Sequence, residues 1–261
     1  MQGRDDGLAT KVPAVTLGFW IIKILATTLG ETGGDAVSMS WLGETTPAAT
    51  GHGYLLGTAI FAVLFATMVA LQVRAKRFRP LLYWTTIIAS TTVGTTLADY
   101  TTRSLGIGYA GGSSLLLLLV LGALCWWKRS LGTVAVASVH EPNAEAFYWL
   151  TIMCSQTLGT ALGDWVADSA GLGYVGGIWI FGGLLAVVAV LYYRSQVSHV
   201  ALFWAAFVLT RPLGAVVGDF LDKPVAKGGL ELSRYGATAA LLAAIFALVL
   251  AFPQRAARRF H

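Results

Sequence analysis

One block recurs four times without a gap: an aromatic residue, then Trp, then Gly ten positions after the Trp, then Asp five positions after that Gly. The copies are Phe19-Trp20…Gly30…Asp35, Tyr83-Trp84…Gly94…Asp99, Tyr148-Trp149…Gly159…Asp164 and Phe203-Trp204…Gly214…Asp219. The Trp-to-Trp periods are 64, 65 and 55 residues, so the chain is a fourfold internal repeat. Whatever fold it adopts must accommodate four equivalent units, each planting one carboxylate in apolar sequence.

That apolar sequence sets the solvent. Hydrophobic residues make up 56% of the chain and charged residues only 12%, against about 25% charged in a soluble domain. Runs able to span about 30 Å of hydrocarbon, roughly 20 residues each, can be placed at about 14–35, 53–73, 81–102, 109–127, 146–167, 173–193, 200–221 and 235–252. The chain therefore reads as one all-α integral membrane domain over 1–261, with repeats at about 14–80, 81–145, 146–199 and 200–252, two helices in each. No removable signal peptide is visible, because the N-terminus is polar through Lys11 and the first apolar stretch lacks a small-residue cleavage site.

Loop charge predicts the orientation. One side collects twelve basic residues: Arg4, Lys11, Arg74, Lys76, Arg77, Arg79, Lys128, Arg129, Arg194, Arg255, Arg258 and Arg259. The other has four, Arg103, Lys223, Lys227 and Arg234. Lys and Arg are retained on the cytoplasmic side, so both termini are expected there. The same asymmetry accounts for the basic balance of the chain, and no nucleic-acid partner is needed to explain it.

The two helices of a repeat differ. Leu115 to Val120, Ile178 to Leu191 and Leu241 to Phe252 carry almost nothing polar and can face lipid. The motif helices hold Thr, Ser, Gln and Asp, which in hydrocarbon require protein or water partners. At 100° per residue, offsets 7, 8, 11, 15 and 18 from the Trp fall on one face. That face reads Thr27, Thr28, Glu31, Asp35, Ser38 in the first copy and Thr91, Thr92, Thr95, Asp99, Thr102 in the second. It reads Gln156, Thr157, Thr160, Asp164, Ala167 in the third and Arg211, Pro212, Ala215, Asp219, Asp222 in the fourth. Beside it runs a small-xxx-small stripe, Gly30/Gly34, Gly94/Ala98, Gly159/Gly163 and Gly214/Gly218, of the kind that lets helix backbones approach closely. The expected architecture is an inner bundle of four parallel motif helices with polar faces inward, ringed by four apolar helices. The Trp residues are read as anchors at the cytoplasmic interface. Each Asp then lies about 22 Å further along its helix, in the outer third of the membrane. Gly51-His52-Gly53-Tyr54, Gly106-Ile107-Gly108-Tyr109 and Gly171-Leu172-Gly173-Tyr174 are read as turns bearing an interfacial Tyr.

Seven of the thirteen acidic residues lie in or at the end of the motif helices: Glu31, Asp35, Asp99, Asp164, Asp168, Asp219 and Asp222. A single central Asp costs about 2.5 to 3.5 kcal/mol to insert. Together they require bound cations, bound protons or basic partners. Lys23 and Arg211 lie within spans and are read as charge compensation; Arg103 and Lys223 are further candidates. Carboxylates with Thr28, Thr95, Thr160 and Gln156 make an all-oxygen donor set, which suits hard or borderline cations such as magnesium, manganese and calcium and disfavours copper. His52, His140, His199 and His261 fall in loops or the tail, which argues against zinc, and Cys125 and Cys154 have no metal or disulfide spacing. With no nucleotide-binding glycine loop, no GxSxG, no HExxH and no His within a span to act as base, the chain does not read as an enzyme, and no cofactor is expected.

On this Trp…Thr-x-Gly…(Gly/Ala)-Asp pattern the chain resembles a bacterial family of multi-pass membrane proteins built from four copies of a repeat of unknown function. The resemblance covers about residues 14–252, and the fourth copy departs from it with Pro212 where the others have Thr28, Thr92 and Thr157. Some members look like metal-efflux components, which implies manganese ahead of other hard cations. The residues and the resemblance together predict a secondary transporter of the inner membrane, exporting a divalent cation in exchange for protons. Asp35, Asp99, Asp164 and Asp219 would be shared ligands or proton carriers, and Glu31, Asp168 and Asp222 would extend the site. The alternatives are a proton-coupled carrier of a small organic solute, gripped by Arg211 or Lys23, and a non-transporting membrane scaffold or sensor.

Overall fold

The computed structural model describes residues 10–47, 49, 52–139 and 141–257. Arg4, Gly51, His140, Arg258, Arg259 and His261, all used above, lie outside the described residues. The described residues form eight α-helices and no strand. The motif helices are α1 (Leu17–Asp35), α3 (Pro80–Asp99), α5 (Pro142–Asp164) and α7 (His199–Asp222). Between them come α2 (His52–Arg74), α4 (Gly108–Leu131), α6 (Gly173–Arg194) and α8 (Arg234–Ala251). Five of them, α2, α4, α6, α7 and α8, are long and apolar enough to cross a membrane. The chain is a multi-pass membrane protein.

Polarity decides which helices are inside. The motif helices α1, α3, α5 and α7 pack in a closed cycle, each against the next and α7 against α1. Their polar residues are buried there, Thr27, Thr91, Thr95, Gln156, Thr160 and Arg211 all completely. The apolar helices lie outside and expose large side chains, with Val63 at 70%, Leu118 at 67%, Trp179 at 77% and Leu250 at 75%. Each outer helix packs on the motif helix of the following repeat, α2 on α3, α4 on α5, α6 on α7, and α8 closes the circle on α1.

The small-residue stripe works as the receiving half of an interlock. A Cβ built on Gly30 would lie 2.3 Å from the Cβ of Thr91, on Gly94 2.8 Å from that of Gln156, on Gly159 2.4 Å from that of Arg211, and on Gly214 2.5 Å from that of Thr27. The residue seven positions after each Trp therefore presses on the glycine of the preceding repeat, and the fourth repeat receives the first. Equal registers at all four seams require the motif helices to run parallel. Hydroxyls reinforce two of them: Thr91 Oγ1 donates to Ala26 O at 3.2 Å and Thr27 Oγ1 to Thr210 O at 3.2 Å.

The aromatic end closes by the same rule. Ring centroids are 5.5 Å apart for Phe19 and Trp84, 5.9 Å for Tyr83 and Trp149, 6.2 Å for Tyr148 and Trp204, and 5.8 Å for Phe203 and Trp20. The Trp residues are thus not the interfacial anchors expected from sequence, since Trp84, Trp149 and Trp204 are buried. Segments near the two ends of the chain and the α4–α5 connection cover this layer. Segments 10–15 and 252–257 lie together over this end, with Ala14 N–H donating to Arg255 O and Ala257 N–H to Val12 O. Trp84 Nε1 donates to Gln254 Oε1 at 3.2 Å and Trp204 Nε1 to Val134 O at 2.9 Å. Lys11, counted above as a topology charge, is buried here with its Nζ 2.5 Å from Glu145 Oε1.

Candidate functional site

Stepping by four residues from the aromatic position names the layers of the inner bundle, about 6 Å apart at 1.5 Å per residue. After Phe19, Tyr83, Tyr148 and Phe203 come Lys23, Ile87, Ile152 and Phe207, then Thr27, Thr91, Gln156 and Arg211. Next are Glu31, Thr95, Thr160 and Ala215, and then the four Asp. Every member is buried. Apart from the buried Lys23, the first two layers form a plug of aromatic and aliphatic side chains, and continuous polarity begins at the third.

At the fourth layer Arg211 ties three helices together. Its Nη2 lies 3.0 Å from Glu31 Oε2 and donates to Thr95 Oγ1 at 2.6 Å and to Thr160 Oγ1. The ion pair is fully buried, with Arg211 at 0% and Glu31 at 2% exposure. Further hydrogen bonds offset the cost of burying such a pair: the two threonines accept from Nη2 and Thr27 O accepts from Nη1 at 3.5 Å, while Nε has no partner among the described residues.

The Asp layer lies beyond. Asp35, Asp99, Asp164 and Asp219 converge, and Asp222 joins them from the end of α7. Arg103 bridges two of the acids, with Nε 3.0 Å from Asp99 Oδ1 and Nη2 3.0 Å from Asp164 Oδ2. Lys223 Nζ bonds to Asp35 Oδ2 and lies 3.1 Å from Asp219 Oδ1 and 4.0 Å from Asp222 Oδ1. Arg234 Nε stands 3.5 Å from Asp222 Oδ2. Hydrogen-bond geometry is nevertheless incomplete: Asp35 Oδ1 and Asp99 Oδ2 are buried with no partner among the described residues, and Asp99 Oδ1, Asp219 Oδ1 and both oxygens of Asp222 are buried and met only by the ion pairs just given, without a hydrogen bond. One oxygen from each of Glu31, Asp164 and Asp219 lie within 4.8 Å of one another, and so do one from each of Asp35, Asp219 and Asp222. Asp219 belongs to both groups.

Helix geometry helps to aim these groups. Directly after Asp35, Asp99 and Asp164 the chain enters a π-helical turn, Ala36–Trp41, Tyr100–Ser104 and Trp165–Ser169. Such wide turns recur at functional sites. The fourth repeat has none, and α7 continues to Asp222 before Lys223 caps it.

Not every candidate from the sequence reaches the cluster. Asp168 is exposed on its π turn. Thr28 donates to Ile24 O in its own helix. Gln156 lies two layers inside the Asp layer, its Nε2 3.4 Å from Ser90 Oγ. Thr95 and Thr160 are held by Arg211. Lys23 touches no acid among the described residues: its Nζ makes no hydrogen bond and sits 4.1 Å from the centroid of the Phe207 ring. Arg103 and Lys223, nineteen residues after their Trp, are the principal cations of the Asp layer and not loop charges. Their signal was available, since position 19 continues the same four-residue line, as an i,i+4 partner of the repeat Asp. Tyr54 and Tyr174, read as interfacial, are buried, and Tyr109 has Arg103 Cζ 6.0 Å from its ring centroid. The positive φ angles of Gly106, Gly108, Gly171 and Gly173 fit the turns expected before α4 and α6.

No curated protein sequence and no solved structure matches this chain. A family model, Repeat of Unknown Function (DUF347), matches it four times, over residues 18–78, 82–133, 147–198 and 202–258. Each match contains one aromatic-Trp…Gly…Asp block, and the protein belongs to the family that this repeat defines.

Proposed function

We propose that this protein is a secondary transporter that exports a hard divalent metal cation, manganese first, in exchange for protons. The supporting observation is the two groups of buried acids across α1, α5 and α7, Glu31/Asp164/Asp219 and Asp35/Asp219/Asp222, each offering three oxygens within 4.8 Å of one another, with Asp35 Oδ1 and both Asp222 oxygens accepting no hydrogen bond among the described residues. Oxygen-only donors at such spacing fit a hard cation. Uncompensated buried carboxylates are otherwise costly. Eight membrane spans, a bacterial inner-membrane location and cytoplasmic termini complete the reading; the asymmetry of basic residues supports the last. The acid layer would then open to the outer side, with the aromatic plug on the cytoplasmic side. Ligating carboxylates must be deprotonated, so cations and protons compete for the same oxygens, the minimum that exchange requires.

A second reading, a carrier of small organic anions, is favoured by the buried Lys23 Nζ, which makes no hydrogen bond among the described residues. Arg211 serves it poorly, being committed to Glu31. Competition binding to purified full-length protein separates the two. The cation reading expects manganese to bind and to be displaced by other hard divalent cations. Binding of organic anions that is lost in Lys23→Met, with no cation binding, would replace it.

A further inference from the structure

We infer that the Lys223 ammonium is a tethered stand-in for the cargo: it occupies the Asp35/Asp219/Asp222 group when no cation is bound, and an arriving dication displaces it. The inference rests on the cation reading above and adds a role for one residue that this reading leaves open. The three acids whose oxygens lie close enough to share an ion are the same three that surround Lys223 Nζ, with Met39 Sδ 3.7 Å away. An ion and the ammonium cannot both take that position.

The backbone of Lys223 is fixed by hydrogen bonds, whereas its side chain is held by ion pairs with the acids around Nζ. Lys223 O accepts from Glu231 N–H at 2.9 Å, and Leu230 N–H and Leu232 N–H donate to Phe220 O and Leu221 O at 2.7 and 2.8 Å. The loop 223–232 is thereby folded back on the end of α7. Gly229 makes this possible, since a Cβ there would meet Lys223 O at 2.1 Å. From this anchor extends a flexible four-carbon stem ending in a point charge. The Lys223 side chain is 9% exposed, against 0% for Asp35 and 4% for Asp219, so it lies on the outward side of the group. Arg211 contrasts with it: wholly buried and held by α1, α3 and α5, it is a permanent counter-charge.

Charge balance gives the exchange its direction. Three carboxylates facing Lys223 and Arg234 leave one negative charge uncompensated. Replacing the ammonium by a dication while Arg234 stays leaves none. A monovalent cation gains no charge over the ammonium and must also compete with a tethered group at high effective concentration. Lys223 therefore selects divalent over monovalent cations.

The test uses full-length protein in nanodiscs at fixed pH, titrated calorimetrically with manganese. Lys223→Met and Lys223→Gln should bind manganese at least about tenfold more tightly than wild type, and sodium, without effect on wild type, should compete in both variants. In wild type, acylation of Lys223 by a water-soluble ester, mapped by mass spectrometry, should rise as manganese saturates the protein. Equal or weaker affinity in variants that remain monodisperse, or acylation unchanged by manganese, overturns the inference while leaving the cation reading standing. Absence of manganese binding in wild type and both variants removes the cation reading and this inference with it.

Discussion

Arg211 Nη2 stands 3.0 Å from Glu31 Oε2 at a level where the other two motif helices contribute only Thr95 and Thr160. Removing one member of a buried pair strands the other and costs about 3–5 kcal/mol. Arg211→Met and Glu31→Gln should therefore each lower unfolding stability in detergent by roughly that amount. The combined Arg211→Met/Glu31→Met protein should recover most of the loss. Additive losses in the double variant would show that the two residues do not act as a pair.

The glycine seams give a second test. A Cβ on Gly94 would meet Gln156 Cβ at 2.8 Å and its carbonyl carbon at 2.9 Å, and one on Gly159 would meet Arg211 Cβ at 2.4 Å. Gly94→Ala and Gly159→Ala should each cost about 1–3 kcal/mol by overpacking. Gly122 and Gly183 on the outer helices face open space, so alanine there should cause no loss. The measurement is the thermal midpoint of purified protein.

How far the sequence reached can be traced along these helices. The repeat, the inner and outer helices and the inward polar face follow from a 3.6-residue period that apolar sequence makes easy to see, and all six clustered acids lie on or beside that face. The Trp environment did not follow, because Trp84 is covered by Gln254 of segment 252–257, which pairs with segment 10–15, and Trp204 by Val134 in the connection between α4 and α5, long-range contacts that no local pattern encodes. Nor did the division of labour among the basic residues. Arg103 and Lys223 lie past the apolar spans and look like loop charges until the end of each motif helix turns them back on the Asp four residues earlier. Lys23 looks like a partner for acids until its layer is seen to hold only Ile87, Ile152 and Phe207.

Orientation is tested by cysteine accessibility in a protein whose native Cys125 and Cys154 have been replaced. A cysteine at Arg77, between α2 and α3, should label only from the cytoplasmic side, and one at Thr46, between α1 and α2, only from outside. The reverse pattern would invert the topology and place the acid layer at the cytoplasmic end.

Asp99 and Asp164 share Arg103 but belong to different parts of the cluster, since only Asp164 joins Glu31 and Asp219 in a group of three oxygens. Asp164→Asn should weaken manganese binding by an order of magnitude or more, a loss of about 1.4 kcal/mol for each factor of ten. Asp99→Asn should also weaken it, by less. Both should keep a thermal midpoint close to wild type. Loss of folding together with binding would identify these acids as structural ties between helices.

The central claim is exchange of a dication for protons at an acid cluster formed by Glu31, Asp35, Asp99, Asp164, Asp219 and Asp222, faced by the cations Arg103, Lys223, Arg234 and Arg211. Its most direct test is manganese flux in proteoliposomes that enclose a pH indicator. The account predicts manganese movement accompanied by protons moving the opposite way, and an affinity that falls as pH drops from about 8 to 6, because protons and cation compete for the same oxygens. Manganese flux with no proton movement and a pH-independent affinity would contradict it.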